Sequence, residues 1–221
     1  MRQGTINNYI KFSKNFGGVR KCYEGKPTIA VGGFMCDPKL MPDYPNVMAA
    51  GTLVYADETA GVRSIVPLYT FKVKSVDASN NTITVEKVET GTIAKVGMKL
   101  IVVGDDLTQA ADNVATVTAI DSSASDVDVL TVDNVAADST PFVAEGDVLA
   151  EAKSDKKVKV IPNGLTYCDN VLDPDAYAID IDYIWNCMEK PVLERRMPPL
   201  TASLKKALRD NECYFRFSNR K

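Results

Sequence analysis

The chain has 221 residues, of which 45% are hydrophobic and 25% are charged, and these proportions are ordinary for a folded protein. The net charge of −3 argues against general affinity for nucleic acid, and no apolar run approaches the roughly 20 residues that span a bilayer. Since the chain has no histidine, Ser-His-Asp and Cys-His relays and imidazole metal ligands are excluded.

Residues 1–30 form a basic segment with six Lys or Arg residues and one acidic residue. The segment lacks the apolar core of a secretory signal, so synthesis in a cytoplasm is expected. Aromatic side chains lie among the cations, a mixture typical of a segment that docks on a protein surface. We predict an arm that binds a partner through Tyr9, Phe12, Lys14 and Arg20; the alternative is a solvated terminus.

Residues 71–152 are acidic, with 14 Asp or Glu residues and five lysines, and they contain a duplication. The first copy reads FKVKSVDASNNTITVEKVETGTIAKVGMKLIVV, and the second reads ATVTAIDSSASDVDVLTVDNVAADSTPFVAEGDVLAEA. The matches keep their order along the chain. They are Val76-Asp77 with Ile120-Asp121, Thr84-Val85 with Thr131-Val132, Val88 with Val135, Gly97 with Gly146, and Leu100 with Leu149.

Each copy has the pattern of three strands. In the first copy, apolar residues alternate over 71–76 and again over 83–88, and residues 78–81 supply a turn between them. The Val-Gly-Met and Glu-Gly-Asp steps predict a bend before a third strand in each copy. Two such copies folding on each other predict a small closed barrel or a sandwich.

The acidic loops offer oxygen ligands of the kind that calcium prefers, at Asp105, Asp106, Asp126 and Asp128. Their spacing is not that of a known calcium-binding loop. We therefore expect solvated acidic turns and no metal site.

The segment after the duplication predicts a strand, a helix and a last strand. Its strand is indicated by alternation, in which Tyr177, Ile179, Ile181, Tyr183 and Trp185 occupy one face, and Ala178, Asp180, Asp182 and Ile184 occupy the other. Paired carboxylates can perform acid–base catalysis, but the alternation accounts for Asp180 and Asp182 as part of a solvent face. A helix over 200–210 begins at Thr201 or the preceding prolines, with Leu200, Leu204, Ala207 and Leu208 on one side. A strand over 213–217 follows.

The five cysteines are widely spaced, odd in number and without a CxxC pair. Zinc sites and disulfide frameworks usually show tight spacing. Reduced, structural thiols are expected.

The segments that flank the duplication resemble the head decoration proteins of tailed bacteriophages. The resemblance covers residues 45–70 and 160–221, and it depends on motifs that include Ala50-Gly51-Thr52-Leu53-Val54, Asn163-Gly164-Leu165-Thr166 followed by Asp169, and Phe215-Arg216-Phe217. It implies a compact, β-tulip-like body that associates as a homotrimer on the capsid, with the arm gripping the shell. The inserted module also fits a head fibre.

These observations predict a mainly β protein with a short C-terminal helix. A discontinuous decoration-type body (31–70 and 153–221) carries the inserted module (71–152) and the arm (1–30). The expected function is structural and non-catalytic: binding of the major capsid protein on the virion surface, with no cofactor, no nucleic acid and no membrane. The alternative is an adhesion module for a host surface or carbohydrate, although the duplicated region has only Phe71 and Phe142 as aromatic residues. An enzyme that uses only carboxylates is a third possibility.

Overall fold

The computed structural model describes residues 21–43, 46–59, 61, 63–88, 90–137, 140–171 and 176–219. Within these ranges the protein is mainly β, with one α-helix near the C-terminus, as predicted. The four predicted arm residues, Tyr9, Phe12, Lys14 and Arg20, lie outside the described residues.

The elements are numbered along the chain. The strands are β1 (Thr28–Cys36), β2 (Val47–Met48), β3 (Leu53–Asp57), β4 (Ser64–Leu68), β5 (Thr70–Asp77), β6 (Thr82–Glu86), β7 (Lys99–Val102), β8 (Ala115–Asp121), β9 (Val127–Val132), β10 (Ala136–Ala137), β11 (Thr140–Pro141), β12 (Val148–Glu151), β13 (Gly164–Thr166), β14 (Asn170–Val171), β15 (Ile179–Leu193) and β16 (Tyr214–Ser218). The helix is α1 (Ala202–Asp210), and short 3₁₀ turns lie at Pro38–Leu40 and Glu194–Arg196.

Six strands of the duplicated region close a barrel in the order β12-β5-β6-β9-β8-β7. All six pairings are antiparallel, and β7 closes the ring on β12. The apolar side chains that alternate along β5 and β6 are buried at Phe71, Val73, Ile83 and Val85, which confirms the predicted inward face. The duplication therefore forms a barrel rather than a sandwich.

The turns and bends of the two copies form where the sequence predicts them. Asn81 adopts a φ of +50° in the turn between β5 and β6, as Asn tolerates. Gly97 and Gly146 have φ values of +86° and +89° at equivalent bends before the third strands. Their N–H groups donate to equivalent carbonyls, that of Gly97 to Val117 and that of Gly146 to Val73.

The two copies interlock in the barrel. The third strand of the first copy, β7, pairs with the first strand of the second copy, β8. The third strand of the second copy, β12, pairs with the first strand of the first copy, β5. Neither copy closes a sheet alone, because each supplies a strand to the other.

The body contains a six-stranded sheet in the order β1-β4-β3-β13-β15-β16. Because β1 also pairs with β15, the first five strands form a closed ring, and β16 lies outside it. Two short ribbons complete the described structure, β2 with β14 and β10 with β11.

The two motifs on opposite sides of the duplication meet in this body. The Ala50 N–H donates to Asp169 Oδ1 at 2.7 Å, and the Thr52 N–H donates to Thr166 Oγ1 at 3.0 Å. Thr52 and Thr166 are buried, so these hydrogen bonds join distant parts of the chain inside the core.

The predicted solvent face of β15 is wrong at Ile184, which is fully buried. Trp185, assigned to the other face, is 37% exposed, and Tyr177 is fully exposed. The reason is that the strand contributes side chains to two hydrophobic cores, one on each face. Ile181 packs in the core that includes the barrel interior, whereas Ile184 packs in a second core beneath α1.

Helix α1 forms as its amphipathic pattern predicts. Thr201 caps it, since its Oγ1 accepts from the Leu204 N–H at 3.2 Å. The buried side contains Leu204, Ala207 and Leu208. None of the helices in the described ranges has the length and apolar content of a membrane-spanning helix.

Candidate docking surface

A groove runs beside β16 on the surface of the body. Its volume is about 320 Å³. It is lined by Met188, Lys205, Arg209, Cys213, Tyr214, Phe215 and Phe217. We call it the β16 groove. Aromatic, Met and Arg side chains are enriched at protein–protein interfaces, so its composition is typical of a docking surface.

The apolar side chains of the β16 groove are held in place but remain accessible. The rings of Phe215 and Phe217 are 5.8 Å apart between centroids. Lys205 Nζ lies 5.3 Å from the Phe217 ring centroid and 2.8 Å from Glu194 Oε2, so one cation fixes the ring and is itself paired. Met188 is 55% exposed and Tyr214 is 49% exposed. The groove thus presents apolar area to solvent on a supported scaffold.

The outer edge of β16 has no strand partner among the described residues. Within the described ranges, β16 pairs with β15 alone, in parallel, through partners such as Val192 and Phe217. An unpaired strand edge presents N–H and C=O groups that another extended chain can bind. The barrel offers no such edge, because its six strands form a closed ring.

The start of the described chain pairs with β15 on the side opposite β16. Leu193 donates its N–H to the Cys22 carbonyl at 2.7 Å, and Tyr23 forms a bridge with Val192 on the side of β15 opposite Phe217. Two strand spacings, about 10 Å, therefore separate this segment from β16. The described start of the N-terminal segment therefore lies across β15 from the β16 groove.

Stacked tyrosines anchor the start of the described chain. The rings of Tyr23 and Tyr167 are 5.5 Å apart, and Lys21 Nζ lies 5.7 and 5.6 Å from their centroids. Burial raises the pKa of Tyr23. The cation and the rings hold the base of the arm against the body.

One loop of the barrel lies on the other side of α1 from the groove. Asp105 and Asp106 of a barrel loop face Lys206 and Asp210 across a cleft of about 430 Å³. Lys206 donates to Asp210 Oδ2 at 2.7 Å, and this carboxylate raises the pKa of the amine. Because Lys205 lines the groove and Lys206 lines the cleft, α1 separates the two surfaces.

The C-terminal region that forms the groove and the duplicated region that forms the barrel differ in net charge. Residues 185–221 contain nine basic and four acidic residues, and the arm is basic as well. The duplicated region has 14 acidic residues and five lysines. The end that carries the groove and the arm is therefore basic, whereas the barrel is acidic.

Three of the four carboxylates considered as calcium ligands, Asp106, Asp126 and Asp128, are engaged by protein donors. Asp106 Oδ1 accepts from the N–H and the hydroxyl of Thr108 at 2.9 and 2.7 Å, and these bonds lower the pKa of Asp106. Asp128 pairs with Lys87 at 3.1 Å and accepts from Thr92 at 3.0 Å. The described residues contain no group of three or more His, Cys, Asp or Glu side chains placed to hold a metal.

The cysteines, all within the described ranges, form no disulfide. Four are buried and Cys168 is half-buried. Burial raises the pKa of Cys36 to about 12 and that of Cys213 to about 11, which keeps both thiols protonated near neutral pH.

Sequence reasoning singled out only part of this surface. Phe215, Arg216 and Phe217 entered through the resemblance, whereas Met188 and Arg209 were missed as partners of the same groove. A usable signal was present, because basic residues of the amphipathic helix stand a few positions before an aromatic strand. No protein-family model, curated protein or solved structure matches the chain.

Proposed function

We propose that the protein is a non-catalytic viral structural protein that binds the outside of a tailed-phage capsid. It stabilises the shell as an oligomer, with a homotrimer expected, and exposes the acidic barrel. The observation that carries this proposal is the exposed apolar β16 groove, which lies across β15 from the start of the described chain and on the side of α1 away from the barrel loop that contains Asp105 and Asp106.

A protein that decorates a shell needs one adhesive side and one inert side. Exposed apolar side chains, an open strand edge and the base of the arm occur together at the basic end. The barrel has a closed ring of strands and an acidic surface, and both features disfavour association with neighbours. This division supports attachment through the body and the arm.

Attachment at two sites gives a mechanism for stabilising the shell. The arm and the β16 groove are separate contacts on one molecule, so binding of one raises the effective concentration of the other. Where the two contacts reach different capsid subunits, the protein links them. Opening the shell then requires both contacts to break.

The adhesion alternative receives less support from the barrel. Carbohydrate-binding sites commonly use exposed aromatic rings, but Phe71 is only 3% exposed and Phe142 is packed against the core. The observations therefore favour the capsid as partner.

Co-sedimentation tests the proposal. The purified protein is mixed with capsids of its own phage prepared without it, and pelleting is measured against concentration. We expect saturable binding near one copy per capsid subunit and greater resistance of the loaded capsids to heat. Failure of the full chain to pellet at any concentration would reject the proposed function.

Deletion of residues 1–20 tests the role of the arm. We expect the truncated protein to lose binding while its circular dichroism spectrum and thermal midpoint stay unchanged. Undiminished binding after the deletion would show that Tyr9, Phe12, Lys14 and Arg20 do not contact the capsid.

A further inference from the structure

The outer edge of β16 has features that select a particular kind of partner. We infer that this edge receives an extended segment of the capsid subunit, which adds as a strand and places a carboxylate opposite Arg216. The inference rests on the proposed function and specifies one of its contacts.

The edge is suited to strand addition. The outer backbone groups of residues 214–217 have no strand partner among the described residues, so they can form main-chain hydrogen bonds. The side chains of β16 differ in exposure: Phe215 and Phe217 are half-buried beside α1, whereas Arg216 is exposed and does not line the groove. An added strand thus meets an apolar groove on one face and a cation on the other.

A second copy of the chain is disfavoured at this edge. If two β16 strands paired antiparallel across a two-fold axis, Arg216 at the centre of the strand would face Arg216 of the second copy. Like charges directly opposite each other destabilise a pair of strands. The barrel of a second copy is acidic, but its closed ring has no free strand to add.

The chain's own arm is disfavoured for the same electrostatic reason. Residues 1–30 contain six basic residues and one acidic residue, and the groove carries Lys205 and Arg209 with Arg216 nearby. A basic segment placed along a basic edge gains no charge pairing. The arm and the edge are therefore separate contacts.

The charges of the edge specify a carboxylate in the partner. Lys205 is already paired with Glu194. No described carboxylate forms an ion pair with Arg209 or Arg216. Guanidinium groups bind carboxylates with two parallel hydrogen bonds, so an Asp or Glu side chain opposite Arg216 complements the edge. Apolar residues at alternate positions of the same segment would contact Phe215 and Phe217.

Charge variants at the edge give the first readout. Arg216→Glu is expected to weaken binding to capsids by roughly tenfold or more, because it opposes two carboxylates. Arg216→Lys keeps the positive charge but loses the two parallel hydrogen bonds, so its binding is expected to lie between those of the wild type and Arg216→Glu. Lys157→Glu makes the same charge change at an exposed position distant in sequence from β16, and it is expected to bind like the wild type. Thermal midpoints of the variants verify that each is folded.

Hydrogen–deuterium exchange gives the second readout. If a strand is added, the amides of residues 214–218 exchange more slowly in the capsid-bound protein than in the free protein. Wild-type binding by Arg216→Glu together with unchanged exchange at 214–218 would overturn the inference and leave the proposed function intact. Failure of the wild type itself to bind capsids would reject both.

The oligomeric state tests whether a second copy of the chain, rather than the capsid subunit, occupies the outer edge of β16. Light scattering of the wild type and Arg216→Glu without capsids is expected to give the same mass. A change of mass caused by Arg216→Glu would assign the edge to a second copy and overturn the inference.

Discussion

Ile83 of the first copy lies directly opposite Leu130 of the second copy in the β6–β9 ladder, and both side chains are fully buried. The alignment of the duplication makes these two residues equivalent. Ile101 and Ala150, a second equivalent pair, lie opposite each other where β7 meets β12. A local two-fold relationship therefore passes through the barrel between the two copies.

Large-to-small substitution at this pair destabilises the barrel. Ile83→Ala and Leu130→Ala are each expected to lower the free energy of unfolding by about 2–5 kcal/mol, because each leaves a cavity in a closed core. Urea denaturation measures the loss. Val96→Ala, at a residue that is 65% exposed, is the control and is expected to change stability by less than about 0.5 kcal/mol. Equal effects of all three substitutions would contradict the barrel packing.

Two ion pairs of the barrel differ in burial, so removing the carboxylate of each is expected to reduce stability by different amounts. Lys87 and Asp128 have side chains 12% and 4% exposed, whereas Lys74 and Asp126 are 52% and 69% exposed. Asp128→Ala leaves a buried amine without its carboxylate and is expected to cost about 3 kcal/mol. Asp126→Ala is expected to cost less than about 1 kcal/mol. Similar losses in urea denaturation for both variants would contradict the burial of the first pair.

The barrel was predictable from the sequence because local patterns carry most of its information. Alternation identified the buried faces of β5 and β6, and the duplication indicated that the second copy repeats them. The exchange of third strands was not predictable, since periodicity indicates which face of a strand is buried but not which strand it pairs with.

Tertiary packing explains both the wrong prediction of an exposed Ile184 and why the β16 groove was not predicted from the sequence. Alternation along β15 separates two faces, but only the packing of α1 decides that Ile184 is covered. Met188 lies more than 20 positions before Arg209 and Phe217 in the sequence and meets them because β16 pairs with β15 next to α1. The nearness of Arg209 to the aromatic strand is visible in the sequence, whereas the approach of Met188 to both depends on tertiary structure and leaves no local pattern.

The surroundings of Gly51 leave no room for a side chain. Its φ is +83°, and an added Cβ would lie 2.7 Å from the Cβ of Met197 and 3.0 Å from the Sγ of Cys22. Gly51→Ala is therefore expected to destabilise the body more than Gly97→Ala, whose φ is similar but whose added Cβ would meet open space. Gly97→Ala is expected to cost about 1–2 kcal/mol from backbone strain alone. Thermal unfolding compares the two, and a smaller loss for Gly51→Ala would contradict the packing.

The thiols are expected to differ in reactivity. Burial shields Cys36, and its raised pKa, about 12, keeps it protonated at pH 8. Cys168 is only half-buried, so iodoacetamide is expected to label it before Cys36 in the folded protein. Mass spectrometry of digests taken over time measures the order. Labelling in urea is the control, where both should react at similar rates. Early labelling of Cys36 in the folded protein would contradict its burial.

Electron cryomicroscopy of capsids saturated with the protein would show whether the body attaches to the shell. We expect density for the body on the outer surface of the shell, with β16 and the base of the arm towards the capsid and the barrel pointing outwards. Density with the barrel against the shell, or no added density on capsids incubated with excess protein, would contradict this expectation.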